Sequence, residues 1–213
     1  LFEYLEKKGY AEPVVVTERD SSGVSRLQVY NKNRRASNLL IDARFSETLF
    51  TPFRAFCEDC QGKGPCTFHV IVVEWVETRD PAGKFSPDKP QLPGQKSPGL
   101  GVLRHLKQFV GMMAGEISRD GFMNVPDHVH AAIMYSDAFR FVDPEREGYL
   151  RALLRDLQGV RLGDIAWGYV TGAVFDADSG EPEKYRPSEQ LYPVSDRLRR
   201  HYDSKLYAKG LDA

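Results

Sequence analysis

The chain has 213 residues, of which 41% are hydrophobic and 28% are charged, and its formal net charge is -1. This composition is typical of a folded globular protein with a sizeable core. A net charge close to zero argues against a broad basic surface, so we expect no nucleic-acid or membrane partner. No apolar run reaches the ~18 residues of a membrane-spanning helix, and no signal-peptide pattern opens the sequence. We therefore expect a cytoplasmic protein.

The N-terminal residues have the pattern of a short helix followed by three strands. LFEYLEKKG predicts a helix that ends at Gly9, and PVVVTERD and VSRLQVYN predict two strands joined by a turn at residues 21–23. NLLIDARF predicts a third strand. Residues 46–57 have apolar side chains at roughly helical spacing, which favours a helix interrupted by Pro52.

The central part of the chain contains the strongest strand signal. Residues 67–78, TFHVIVVEWVET, are rich in β-branched and aromatic side chains, which predicts a central strand covered on both faces. Residues 80–98 are rich in proline, glycine and charge, and predict an exposed loop of unusual length. A helix follows this loop, and its periodicity places a set of apolar residues on one side, namely Val102, Leu106, Phe109, Met113 and Ile117.

Short strands and helices alternate through the remaining sequence. GFMNV and RFVDP predict strands, DHVHAAIMYSDAF predicts a helix with Asp127 as its N-cap, and EREGYLRALLRDLQG predicts a helix that ends at Gly159. Residues 173–194 favour a hairpin that turns at residues 178–180, and DRLRRHYDSKLYAKG predicts a last helix.

The order of these elements predicts the fold class. We expect an α/β or α+β protein with a mixed, mostly antiparallel central sheet flanked by helices, and with a C-terminal β-hairpin and helix. The length suits a single domain with three segments. These segments are residues 1–66, residues 67–143 and residues 144–213.

A glycine loop before the central helix, LPGQKSPGLGVLRHL, has a pattern that often accompanies phosphate binding. It is not a P-loop, because no Gly-Lys-Ser/Thr sequence follows at the required spacing. It is not a dinucleotide fingerprint, because Arg104 stands where the third glycine is required. Two interpretations stay open: a tight turn before a helix, or an anion site made by the free amides of the first helical turn.

The context of this loop resembles the GNAT-type N-acyltransferases over roughly residues 67–143. In that family a central strand leads to an (Arg/Gln)-x-x-Gly-x-(Gly/Ala) loop, and a later helix has the pattern Asn-x-x-Ala-x-x-x-Tyr. Here Lys96-Ser97-Pro98-Gly99-Leu100-Gly101 stands at the loop, with Lys in place of Arg or Gln. The later helix has His128 in place of Asn, followed by Ala131 and Tyr135 at the family spacing.

The resemblance implies a GNAT-like fold and transfer of an acyl group, most simply acetyl from acetyl-CoA, to an amine. The acceptor would be a small molecule or a protein, and homodimerisation or fusion to another domain stays open. Tyr135 would be the general acid toward the departing thiolate; a core aromatic is the alternative interpretation. The alternative function is a non-catalytic CoA-sensing or protein-interaction module of a larger chain. The implied acyl-CoA-binding residues are Lys96, Gly99, Leu100, Gly101, Val102, Arg104 and His128.

A carboxylate on the central strand could accept the amine proton, directly or through water. Glu74 and Glu77 both lie on this strand, and their spacing of three directs them to opposite faces. We assign the role of general base to Glu74, which lies deeper in the strand. Ordinary exposed strand charges are the alternative interpretation for both residues.

A cysteine cluster precedes the central strand. Cys57, Cys60, Cys66 and His69 form a Cys-x-x-Cys and Cys-x-x-His pattern, which supplies four ligands suited to tetrahedral zinc. The odd number of cysteines fits a reducing compartment better than a disulfide framework. The hypothesis is a structural zinc site, and free or redox-active thiols are the alternative.

Overall fold

The computed structural model describes residues 1–52, 67–116 and 118–211. The described chain is α+β, with seven strands in a mixed, mostly antiparallel sheet flanked by helices, which confirms the predicted class. The chain divides into two compact units. The first unit consists of Leu1–Thr48, Ile71–Gln91 and Gln95–Ile117, and the second of Leu49–Val70, Leu92–Gly94 and Ser118–Ala213.

The first unit has an antiparallel meander and two helices. β1 pairs with β2 from Pro13 opposite Asn31 to Arg19 opposite Ser25, and β2 pairs with β3 with a register shift at Val29. The strand order is β1-β2-β3-β4. The elements are α1 (Phe2–Lys7), β1 (Pro13–Arg19), β2 (Ser25–Asn31), a 3-10 turn (Ala36–Asn38), β3 (Leu39–Phe50), β4 (Phe68–Thr78) and α2 (Leu103–Glu116).

The first hairpin turns at the residues that the sequence predicted, and the carboxylate of Asp20 closes the turn. The Asp20 carboxylate accepts hydrogen bonds from the amides of Ser22 and Val24, at 2.9 and 3.0 Å. Gly23 adopts a φ of +89°, a left-handed conformation that a residue with a Cβ rarely adopts. The turn therefore forms where the serine and glycine residues predicted it.

The core of the first unit lies between the meander, α1 and the loop before α2. Its buried residues are Leu5, Tyr10, Val29, Leu40, Ile41, Leu100 and Val102. Leu106, on the first full turn of α2, packs against this cluster. The glycine loop is thus a structural part of the core, because it supplies two fully buried side chains.

Three expectations for the first unit and its borders were wrong in part. Residues 46–50 continue β3 instead of forming a helix, and Leu49 is 69% exposed, so the apolar spacing there does not mark a buried face. β4 is buried at Phe68 and Val70, but Trp75 is 48% exposed, so its second half is not covered on both faces. On α2, Phe109 is 41% exposed, so the predicted apolar side of this helix is not buried along its length.

The second unit combines three short strands with five helices among the described residues. β7 lies between β5 and β6 and pairs antiparallel with both, in the order β5-β7-β6. The elements are β5 (Gly121–Asn124), α3 (Val129–Tyr135), β6 (Arg140–Phe141), α4 (Pro144–Asp156), α5 (Leu162–Thr171), β7 (Gln190–Pro193), α6 (Asp196–Tyr202) and α7 (Lys205–Gly210).

The predicted C-terminal hairpin is short and turns at residues 178–180, where the sequence predicted the turn. Phe175 and Pro182 form an isolated bridge, and the turn between them is held by the Asp176 carboxylate, which accepts from the Ser179 amide at 2.7 Å. The strand-forming residues Gln190–Pro193 pair with β5 and β6 instead. The expected last helix is two helices, because Ser204 caps the second by accepting from the Tyr207 amide at 3.1 Å.

Of the five helix starts in the second unit, three have a side-chain cap, and those of α3 and α5 do not. Asp143 caps α4 by accepting from the Glu145 amide at 2.9 Å, with Pro144 in the first turn. The prediction that Asp127 caps α3 was wrong, because His128 occupies the N-cap position and makes no side-chain capping bond. The Asp127 carboxylate is consequently left exposed beside the helix start.

Candidate functional site

The glycine loop of the first unit is held in place on both sides. The Asp80 amide donates to the carbonyl oxygen of Pro98 at 2.8 Å. The Leu100 amide donates to the Thr78 hydroxyl at 3.4 Å, and the Tyr4 hydroxyl donates to the Leu100 carbonyl at 3.0 Å. These contacts tie the loop to the end of β4 and to α1, so its backbone is fixed before α2 begins.

The glycines in this loop have internal partners. A Cβ at Gly99 would lie 3.3 Å from the Thr78 hydroxyl oxygen, and one at Gly101 would lie 3.1 Å from the Tyr4 hydroxyl oxygen. Gly101 also has a φ of +76°. Close packing against the chain itself therefore accounts for both glycines, independently of any ligand.

The start of α2 presents consecutive backbone amides without an acceptor in the described chain. The N–H groups of residues 101–105 donate to no described residue, whereas the next amide, that of Leu106, donates to the Val102 carbonyl at 3.0 Å. Such amides at a helix N-terminus attract an anion, and the helix dipole adds to this attraction.

Two cationic side chains accompany these amides. Lys96 and Arg104 are exposed, and neither forms an ion pair with a described residue. The first unit thus brings together six of the seven predicted acyl-CoA-binding residues in one short segment: Lys96, Gly99, Leu100, Gly101, Val102 and Arg104. Two of these, Leu100 and Val102, are fully buried, so they can contribute only backbone atoms.

The carboxylates of β4 have different environments. Glu77 accepts two hydrogen bonds from Arg79, at 2.7 and 2.8 Å, and is therefore already paired. Glu74 is exposed and has no hydrogen-bond partner among the described residues. Of the two residues, Glu74 is the one with a carboxylate available to accept a proton.

Tyr135 lies at the end of α3 in the second unit, partly buried and in edge contact with Phe139 at a ring-centroid distance of 5.7 Å. Burial raises the pKa of its phenol above the ordinary value. The phenol is therefore protonated at neutral pH. Its hydroxyl bonds to no described residue, so the phenolic proton is available for donation.

His128, the seventh predicted acyl-CoA-binding residue, belongs to the second unit, where it is the N-cap residue of α3. Its ring stacks on His130, with centroids 5.2 Å apart and planes inclined by 15°. His130 is buried, and burial together with the nearby His128 lowers its pKa to about 4, so it is neutral at pH 7. A Cβ at Gly94 would lie 3.2 Å from Nε2 of His128.

A pocket of about 340 Å³ opens beside His128 in the second unit. We call it the second-unit pocket. Its walls come from the start of α3, from α5 and from the segment before β7, and they include Val129 and Ala166. Its polar lining residues are Asp127, His128, Tyr169, Lys184 and Tyr185.

A hydrogen-bonded chain of two tyrosines and a glutamate begins at Tyr169 in the pocket lining. The Tyr149 hydroxyl donates to the Glu183 carboxylate at 3.3 Å and is also hydrogen-bonded to the Tyr169 hydroxyl. Burial, the largest cause, raises the pKa of both phenols. Sequence reasoning missed these residues, because they lie on α4, on α5 and in the following turn, and no motif spacing connects them.

The proposed zinc ligands are not tested by the structure. Cys57, Cys60 and Cys66 lie outside the described residues. His69 is on β4, where its amide donates to the Asp120 carboxylate at 2.8 Å. Within residues 1–52, 67–116 and 118–211, no group of three or more His, Cys, Asp or Glu side chains is arranged to hold a metal ion.

Comparisons with known proteins identify no family. No protein-family model matches the chain, and no curated protein matches its sequence. One solved structure, described as a bacterial toxin, was matched by the structural comparison. The matched region covers 84% of this chain and 72% of the toxin chain, with 9% sequence identity and a TM-score of 0.39. Among the described helices, none has the length and apolar character needed to cross a membrane.

Proposed function

We propose that this protein is an acyl-CoA-dependent N-acyltransferase, most simply an acetyltransferase, with an amine acceptor. The observation that carries the proposal is the row of backbone amides at residues 101–105 that have no acceptor in the described chain. A pyrophosphate offers several acceptor oxygens and a negative charge to such a row. The adjacent Lys96 and Arg104 supply positive charge without an ion-pair partner among the described residues.

The anchoring of the loop supports the same proposal. The hydrogen bond that Tyr4 donates and the one that Thr78 accepts fix the loop backbone before a ligand arrives, so little conformational entropy is lost when the amides bind an anion. The glycines contribute indirectly, by allowing the loop to pack closely against these two side chains.

The reaction would require a base, a polarised carbonyl and an acid. Glu74, directly or through water, would take a proton from the acceptor ammonium, and the neutral amine would then attack the thioester carbonyl carbon. As the carbon–sulfur bond breaks, the nitrogen would release its second proton to solvent water, and the thiolate would take the phenolic proton of Tyr135, which water then restores. The Tyr135 hydroxyl suits this assignment because it has no hydrogen-bond partner among the described residues, so its proton is not committed elsewhere.

Coenzyme A and acetyl-CoA are expected to stabilise the protein. At a ligand concentration of a hundred times the dissociation constant, the free energy of unfolding should rise by about 2.7 kcal/mol. Urea unfolding with and without each ligand measures this rise. Pantetheine, which lacks the pyrophosphate, should give no comparable stabilisation at the same concentration.

A charge reversal tests the position of the anion. Arg104→Glu should weaken CoA binding by about tenfold or more, since each tenfold corresponds to about 1.4 kcal/mol, while the fold is retained because acidic residues suit a helix start. Arg35→Glu, which reverses another exposed arginine of the first unit, should leave the affinity unchanged. The absence of stabilisation by both CoA and acetyl-CoA would reject the proposal.

Tyr135→Phe is expected to lower the rate of acyl transfer by about a hundredfold, the lower end of what a general acid contributes. The affinity for CoA should not change. Tyr192→Phe is the matched control, because both rings contact Phe139. Release of free thiol across a panel of amines measures the rates, and equal rates for wild type and Tyr135→Phe would exclude the assigned role.

The alternative function is a non-catalytic module that binds CoA or a protein partner. It shares the loop and the amides with the enzyme but needs neither Glu74 nor Tyr135. CoA binding that responds to Arg104→Glu, combined with no thiol release from acetyl-CoA for any amine, would favour this alternative.

A further inference from the structure

The polar wall of the second-unit pocket combines the oxygens of Asp127, Tyr169 and Tyr185 with the nitrogens of His128 and Lys184. The Tyr185 hydroxyl donates its single proton to the Pro126 carbonyl at 3.0 Å. The Tyr149 hydroxyl is hydrogen-bonded to both Glu183 and Tyr169, and this ties the Tyr169 hydroxyl into a network with two residues that do not line the pocket. The Tyr185 oxygen therefore has only acceptor capacity left, and the Tyr169 oxygen can also accept a hydrogen bond.

The carboxylate at the pocket adds negative charge to these acceptors. Asp127 is exposed and bonds to no described residue, because it does not cap α3. Its charge reaches the phenol of Tyr185: burial is the largest cause of the raised pKa of this phenol, and Asp127 raises it further. Arg146 partly offsets this effect but does not line the pocket.

The remaining lining residues suit the apolar part of a small cation. The rings of Tyr169 and Tyr185 present faces that attract cations. Val129 and Ala166 provide apolar surface. The volume of about 340 Å³ lies near the lower end of the range for small-molecule sites. Lys184 is the one lysine among the lining residues. Its long, flexible side chain is exposed to solvent.

We propose that the second-unit pocket binds an organic ammonium ion, with the ammonium on Asp127 and the phenol oxygens and the organic group against the aromatic and apolar wall. An anionic ligand would meet the carboxylate of Asp127 and the Tyr185 oxygen, which has no proton left to donate, and Lys184 is the lining cation that would attract it. The inference does not depend on the proposed acyl transfer, because every residue that carries it lies in the second unit and none belongs to the CoA-binding loop.

Three probes that share a phenyl ring but differ in charge test the proposal. They are 2-phenylethylammonium, 2-phenylethanol and phenylacetate, each titrated into the uniformly 15N-labelled full chain and followed by amide chemical shifts. We expect 2-phenylethylammonium to bind at least about tenfold more tightly than the neutral alcohol, with shifts at residues 127–129 and 184–185. Phenylacetate should bind more weakly than the alcohol.

Two variants of the pocket separate the contributions of its charges. Asp127→Asn should weaken ammonium binding by about tenfold, and it should fold normally, because the carboxylate has no described partner. Lys184→Met should leave ammonium binding unchanged or strengthen it, because a competing positive charge is removed. Asp203→Asn, at an exposed aspartate elsewhere in the second unit, is the control and should have no effect.

Each outcome decides for or against the inference. The inference is supported if the ammonium probe binds more tightly than the alcohol in the wild type and if Asp127→Asn removes this difference. Equal binding of the ammonium and the alcohol would overturn it in favour of a merely apolar pocket. Tighter binding of phenylacetate, lost in Lys184→Met, would overturn it in favour of an anion site. No CoA is present in these titrations. A negative result would therefore reject the ammonium site without bearing on the proposed acyl transfer.

Discussion

Replacing Gly121 by alanine is expected to lower the free energy of unfolding by about 3 kcal/mol, at the upper end of the usual cost of overpacking a core. A Cβ at this position would lie 2.5 Å from the carbonyl oxygen of Tyr192 and 2.8 Å from Cδ2 of Leu198. Gly121 is the first residue of β5 and pairs with Pro193 of β7. The obstructing oxygen belongs to the backbone of the paired strand, so it cannot move without disturbing the ladder.

Gly180→Ala is the matched control for this prediction. Gly180 has a φ of +71°, and a Cβ there would meet no atom within 4 Å. Its cost is therefore the left-handed conformation alone, roughly 1 kcal/mol. Urea unfolding of both variants measures the difference, and a loss at Gly121 no larger than that at Gly180 would contradict the close approach of β5 and β7.

Asp120→Asn is the second substitution with a large expected effect. The Asp120 carboxylate accepts hydrogen bonds from the His69 amide at 2.8 Å, the Ser195 hydroxyl at 2.7 Å and the Arg197 guanidinium at 2.7 Å. It is only 15% exposed. An amide cannot accept all these bonds and has no charge for Arg197, so the loss in unfolding free energy should be about 3 kcal/mol.

The effect of Asp120→Asn should depend on pH in a defined direction. Burial alone would raise the pKa of Asp120, but the hydrogen bonds from Ser195, His69 and Arg197 together hold it below the ordinary value. A lowered folded-state pKa stabilises the protein above the unfolded pKa, about 3.9, and this contribution is lost as the pH falls through the folded-state value.

Unfolding free energies at several pH values test this direction. The difference between wild type and Asp120→Asn should be complete at pH 7 and should shrink as the pH is lowered below about 4. Asp203→Asn should show little difference at any pH, because its exposed side chain forms no hydrogen bond with a described residue. A difference for Asp120 that grows at acidic pH would contradict the ion-pair assignment.

Within the first unit, local signals predicted the secondary structure well. Gly9 ends α1, the Ser-Ser-Gly turn joins β1 to β2, and β4 spans nearly the predicted residues. These features depend on neighbours within a few positions, through backbone conformation, short-range hydrogen bonds and side-chain alternation. The prediction failed at residues 46–50, where an apolar spacing typical of a helix occurs in a strand with an exposed Leu49.

The candidate site was predictable in part. The segment from Lys96 to Arg104 could be selected from its glycines and the helix that follows, and the structure places its free amides where a helix start requires them. The reason for the glycines was not predictable from the sequence, because Thr78 and Tyr4 approach them from distant positions in the chain. The hydroxyl chain of Tyr149, Tyr169 and Glu183 had no sequence signal.

The sequence by itself determined the α+β class, the order of most helices and strands and the position of the glycine loop, because short-range periodicity and turn chemistry encode them. Only the tertiary structure decided that β7 lies between β5 and β6, that Asp120 joins His69, Ser195 and Arg197, and that Asp127 stands beside Tyr185 at a pocket. These features depend on residues far apart in the chain, whose pairing follows from the packing of whole elements and not from the spacing of any motif.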